Sequence, residues 1–185
     1  MDPTAQLERV FDEVQKIVDG VTPGQLEDDT PCTEWDVRAL LNHMTGAVIM
    51  FGNALTGVDS PPSGGDVIGE DPAETFRQAA RTTLDAWRQP GTMERTLQLP
   101  MGEVPAAFAI NINLMDAYVH GLDLAVATGQ EDKVDPELAE MALVLSKELG
   151  LDNFRRPGVF GPEVPCPDSA APHRRVLAFL GRNVE

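Results

Sequence analysis

The feature that most limits what this chain can fold into is an apolar helical segment that carries an acid and an imidazole one turn apart: Asn113-Leu114-Met115-Asp116-Ala117-Tyr118-Val119-His120-Gly121-Leu122-Asp123-Leu124. Phe108, Ile112, Met115, Val119, Leu122 and Val126 recur at steps of four and three, which predicts a helix with one continuous stripe facing a core. Asp116 and His120 lie beside that stripe at i and i+4, where Cβ atoms are about 5–6 Å apart. An unpaired buried carboxylate costs on the order of several kcal/mol, so the pair needs a partner, and metal coordination is one way to supply it.

A second apolar helix supplies a candidate. Val37, Leu40, Leu41, Met44, Val48 and Phe51 have helical spacing, and Thr33 followed by Asp36 resembles a capping box with Asp in place of Glu. His43 falls on or near the inward stripe. The chain has three histidines, and two of them occupy these helical positions. On spacing alone two readings stand. In one, His43, Asp116 and His120 converge from two antiparallel helices on a divalent ion and leave its other positions to water, as catalytic sites do, since structural zinc is usually closed by four protein ligands. In the other, the histidines are core residues with satisfied hydrogen bonds and Asp116 with His120 is an ordinary helix-surface pair.

The rest of the chain predicts more helices. Leu7, Val10, Phe11, Val14, Ile17 and Val18 share one face of a helix over about Thr4 to Val18. A third runs from about Pro72 to Gln89, and the Asp116 helix closes at Thr128-Gly129. A fifth begins near Asp135 with Leu138, Met141, Leu145 and Leu149 inward, and a short last one covers Ala171 to Leu180. Thr96 to Pro105 reads as one short hairpin, while Thr56 to Asp66 and the proline-rich Asn153 to Asp168 read as irregular loops. The expected class is all-α: a four-helix bundle with additional C-terminal helices and little or no strand, in one domain over residues 1–185.

Charge narrows the function. The formal net charge of −16 would repel a phosphate backbone, which excludes nucleic acid as a partner. No apolar run is long enough to span a bilayer and the N-terminus lacks a leader pattern, so the expectation is a cytoplasmic protein with no membrane partner. Cys32 and Cys166 show no C-x-x-C spacing. Cys32 precedes a helix start, where the dipole would lower a thiol pKa; the alternative is a small packed side chain. Asp123 is either an acceptor that orients the His120 ring or a surface or capping Asp. His173, beside Arg174 and Arg175, is expected to be exposed, and Trp35 and Trp87 to form core or pocket wall.

Thr30-Pro31-Cys32-Thr33-Glu34-Trp35-Asp36-Val37-Arg38-Ala39-Leu40-Leu41-Asn42-His43 resembles the opening signature of the actinobacterial metal-binding family related to mycothiol-dependent maleylpyruvate isomerase, a branch of the DinB/YfiT-like metalloenzymes. Leu99-Pro100-Met101-Gly102-Glu103-Val104-Pro105 is similar further on, as are Asp116-x-x-x-His120-Gly121-Leu122-Asp123-Leu124-Ala125, Phe160-Gly161-Pro162 and Leu180-Gly181-Arg182. The resemblance implies a DinB-like four-helix bundle that binds zinc or nickel through His43, Asp116 and His120. It also implies a small-molecule substrate, with a low-molecular-weight thiol such as mycothiol as co-substrate, and allows a homodimer. The implied activity is that of a metal-dependent thiol S-transferase, an isomerase-like enzyme or a hydrolase; the alternative is a non-catalytic metal- or ligand-binding bundle. Asp116 stands where the isomerase presents Glu, Leu122 where Trp is common, and the chain ends before the isomerase's second domain. Isomerisation of maleylpyruvate itself is therefore not the expected reaction.

Overall fold

A computed structural model describes residues 2–59, 65–151, 155 and 160–183. Three helices start at an Asp followed by Pro: α1 (Pro3–Val18), α3 (Pro72–Trp87) and α5 (Pro136–Glu148), where the carboxylates of Asp2, Asp71 and Asp135 accept hydrogen bonds from the N–H groups of Thr4, Glu74 and Glu137. Each acid satisfies an orphan amide of the first turn, and each proline sits where no amide is needed. Helix α2 (Val37–Thr56) starts later than expected. Its cap is Asp36, which accepts from the Ala39 N–H at 2.8 Å, while Thr33 lies in the preceding turn.

Helices α1, α2, α3 and α4 (Ala106–Ala127) form the bundle, with α1 packed on α3 and α4, and α2 on the other sides of the same two helices. Helix α4 is buried from Asn113 to Ala125 except at Asp116, as a helix apolar on all sides must be. This corrects the single-stripe expectation. Leu114, Ala117, Tyr118 and Gly121 take the deepest positions against the bundle, while Phe108, at the start of the expected core stripe, is 41% exposed and Ile112 is half-buried. The upper part of that stripe lines a cavity instead.

The hairpin is present and short. Strands β1 (Thr96–Leu99) and β2 (Gly102–Pro105) pair antiparallel, with Leu97 opposite Val104 and Leu99 opposite Gly102. Leu97, Leu99 and Val104 pack on the bundle, and the turn holds Met101 out at 64% exposure. Helix α5 and the last helix, α6 (Pro172–Phe179), pack on each other and on α4. Helix α5 buries Leu138, Ala139, Ala142 and Leu143, so its inward face is rotated from the expected one and Met141 and Leu145 are only half-buried.

Buried polar groups fasten the bundle. Trp87, in the core as expected, donates from Nε1 to Asn113 Oδ1 at 3.1 Å, and the Thr83 hydroxyl donates to the Val48 carbonyl at 2.9 Å. No helix among the described residues is long and apolar enough to cross a membrane. Of the two loops expected to be irregular, residues 60–64, 153, 154 and 156–159 lie outside the described residues.

Candidate metal centre

His43 reaches inward from the middle of α2, opposite Asp116 and His120 on α4. Asp116 Oδ1 lies 3.5 Å from His43 Nε2 and 3.9 Å from His120 Nε2. The imidazoles meet edge to face with ring centroids 4.7 Å apart, and one ligand atom from each of the three residues falls within 4.8 Å of the others. The structure therefore brings together the residues that the spacing singled out.

Burial pushes the Asp116 carboxyl upward, and the facing His43 and His120 outweigh it, holding the pKa below the usual carboxylate value. Asp116 is thus ionised at neutral pH. Its second oxygen, Oδ2, is buried without a hydrogen-bond partner among the described residues. An orphaned carboxylate oxygen is costly unless a cation answers it. Two imidazole nitrogens and a carboxylate fit a divalent ion such as zinc, with positions left over.

Each histidine is held from behind. The Trp35 ring lies against His43, with centroids 4.4 Å apart and an interplanar angle of 31°. Trp35 is placed by the loop before α2, where the Thr30 hydroxyl donates to the Trp35 carbonyl at 2.8 Å. His120 Nδ1 lies 3.1 Å from Asp123 Oδ2. Burial raises the Asp123 pKa, but the bond to His120 and the charge of Arg182 bring it below the ordinary value. An ionised Asp123 can only accept, so His120 Nδ1 carries a proton, and Nε2 is left facing Asp116 and His43. Asp123 is wholly buried, which rules out its reading as a surface or capping residue.

Two further residues meet at Asp123, and the sequence reading assigned a site role to neither. The Cys32 thiol donates to Asp123 Oδ2 at 3.0 Å, and Arg182 donates to Asp123 Oδ1 from Nε and to Oδ2 from Nη2, both at 3.3 Å. The end of α6 aims Arg182. Gly181 has φ of 83° and donates to the Ala178 carbonyl, while Arg182 N–H donates to Leu177, a pairing that reverses the chain at a helix end. A Cβ on Gly181 would lie 2.6 Å from the Gly161 Cα, so only glycine fits this turn. Of the two readings of Cys32, the packed side chain is the one the structure supports, because burial and then Asp123 push the thiol up to about 12. It lies four residues before Asp36, too far for the α2 dipole to reach. His173 is not an exposed residue. It contacts Glu131 at 2.8 Å with a side chain 11% exposed, away from the site.

A cavity of 970 Å³ opens above the three residues. Trp35, His43, Asp116 and His120 line its floor, and apolar side chains of α4 form one wall. The volume is in the range of small-molecule sites, about 300–1,000 Å³.

This is a mainly α-helical, DinB-like protein with two histidines and an ionised acid on the floor of a ligand-sized cavity. The chain belongs to the family of the mycothiol maleylpyruvate isomerase N-terminal domain, whose sequence pattern matches residues 7–125. Two uncharacterized proteins of Mycobacterium tuberculosis, from two strains, are each 35% identical over 185 residues, 100% of this chain and 100% of theirs. The crystal structure of the mycothiol-dependent maleylpyruvate isomerase superposes with a TM-score of 0.55 at 15% identity, covering 66% of this chain and 59% of that one. A histidine-to-alanine variant of the isomerase gives 0.55 at 14% identity with the same coverage. At this identity the likeness concerns the fold, and the matched part spans 59% of the isomerase's length.

Proposed function

We propose that the 185 residues form one metal-binding helical domain in which His43, Asp116 and His120 hold a divalent ion, zinc or nickel. In this reading the protein is a metal-dependent transferase or hydrolase acting on a small molecule, with a low-molecular-weight thiol of the mycothiol type as co-substrate. The observation that carries the proposal is the orphaned Asp116 Oδ2, beside two imidazoles within ligand distance on a cavity floor. The family membership and the mycothiol dependence of the named isomerase support the thiol.

Bound there, a divalent ion supplies Lewis acidity that lowers the pKa of a thiol or water to near neutral. The chain's residues do the rest. Asp123 accepts from Nδ1 of His120, Trp35 lies against the ring of His43, and the apolar α4 wall of the cavity leads down to the three residues. In transfer, the thiol gives its proton to solvent, its sulfur bonds to an electrophilic carbon, and the leaving group departs with the electron pair. In hydrolysis water takes the place of the thiol.

The test is to incubate zinc-loaded protein with mycothiol and a panel of electrophiles and to follow free thiol and product. Consumption that needs zinc and is lost in His43→Ala is the expected result. Neither thiol transfer nor hydrolysis with any member of the panel would reduce the protein to a binding module.

A further inference from the structure

We infer that the cavity takes an uncharged, apolar small molecule as the substrate that the thiol or water attacks, selected by the α4 wall and the hairpin tip. This rests on the proposed metal site as the reacting end of the cavity and names the class of molecule brought to it. Phe108, Ile112, Met115 and Val119 all line the cavity and follow one another along a single face of α4 that ends beside Asp116 and His120. Such a stripe is ordinarily covered by another element. Here Phe108 remains 41% exposed, and Met101 on the hairpin turn, 64% exposed, continues the apolar surface at the mouth. Single exposed apolar residues are common, but these two extend the wall of one cavity of 970 Å³.

The charged side chains described in the lining point the same way. Its two described arginines are committed: Arg155 Nη2 donates to the Phe179 carbonyl at 2.8 Å, and Arg182 is bound to Asp123 and to the Leu180 carbonyl. Glu34 adds a carboxylate to the same lining, within a chain of net charge −16. A dicarboxylate reacting at the floor would press its second carboxylate against methyl and aryl groups, where an unpaired charge is costly. An alkyl or aryl molecule without charge meets no such penalty and covers the exposed wall.

The test is a fluorescence titration with the neutral dye N-phenylnaphthylamine, on metal-free and zinc-loaded protein, with maleate as a dianionic competitor. Saturable binding is expected in both forms, weakened at least about tenfold by Phe108→Glu or Met101→Glu, with no displacement by millimolar maleate. Both positions are exposed, so the variants should keep the wild-type thermal transition, and each checks the other. No dye binding, equal binding by wild type and both variants, or displacement by micromolar maleate would overturn the inference. Zinc content is measured on the same samples, so loss of the metal reading shows separately from loss of the apolar site.

Discussion

His120 donates from Nδ1 to Asp123 Oδ2 at 3.1 Å, and Asp123 also receives Cys32 and Arg182 from segments far away in the chain. The ring is thereby held in one orientation before any ligand arrives. Replacing such a partner typically costs about ten- to a hundredfold in metal affinity. Asp123→Asn is therefore expected to weaken zinc by about that factor in a competition titration with a chromophoric chelator. An unchanged affinity would mean that Asp123 serves only to anchor Arg182.

A second acid, Glu13 of α1, is buried away from the site, where its Oε2 accepts from the Asp135 N–H at 3.0 Å. Burial outweighs that bond and raises the carboxyl from 4.5 to about 7. The folded state then holds a proton that the unfolded chain releases earlier. Glu13's contribution to stability is full below 4.5, falls as pH rises toward 7, and is gone above it, a change of at most roughly 3 kcal/mol. Denaturant unfolding should show Glu13→Gln gaining on wild type as pH rises from about 4 to about 8. A constant difference between the two proteins across that range would contradict the assignment.

Gly121, next to His120, lets α4 approach α1 closely. A Cβ there would lie 2.6 Å from Val14 Cγ2, and the stiff valine cannot swing clear. Gly121→Ala is expected to destabilise the protein by about 1–3 kcal/mol. Because about 2–4 °C of melting temperature corresponds to 1 kcal/mol at this size, a calorimetric scan should show a clear drop. The variant Gly121→Ala with Val14→Ala should recover part of it. A melting temperature equal to wild type would show that the helices separate at no cost.

The sequence makes the periodic parts of this structure legible and leaves the contingent parts hidden. Helix spans follow from apolar steps and Asp-Pro starts, and the meeting of His43 with Asp116 and His120 follows from two apolar helices that each carry an imidazole. Helix α4 turns a different face to the core than expected because it is apolar nearly all round, and periodicity cannot tell a core from a cavity wall. Arg182 and Cys32 lie 59 and 91 residues from Asp123, in a helix end and a loop with no period to read. Besides the family-like Leu180-Gly181-Arg182, the local signal for Arg182 is Gly181 closing an apolar helix just before a cation, which marks a chain reversal but not its target.

The account depends above all on one ion held by three side chains. Untagged protein, stripped and then titrated with zinc by calorimetry and checked by elemental analysis, is expected to bind one equivalent, with binding lost in His43→Ala, Asp116→Ala and His120→Ala while helix content is retained. Failure of the stripped protein to take up zinc or nickel, or undiminished binding in all three variants, would contradict it.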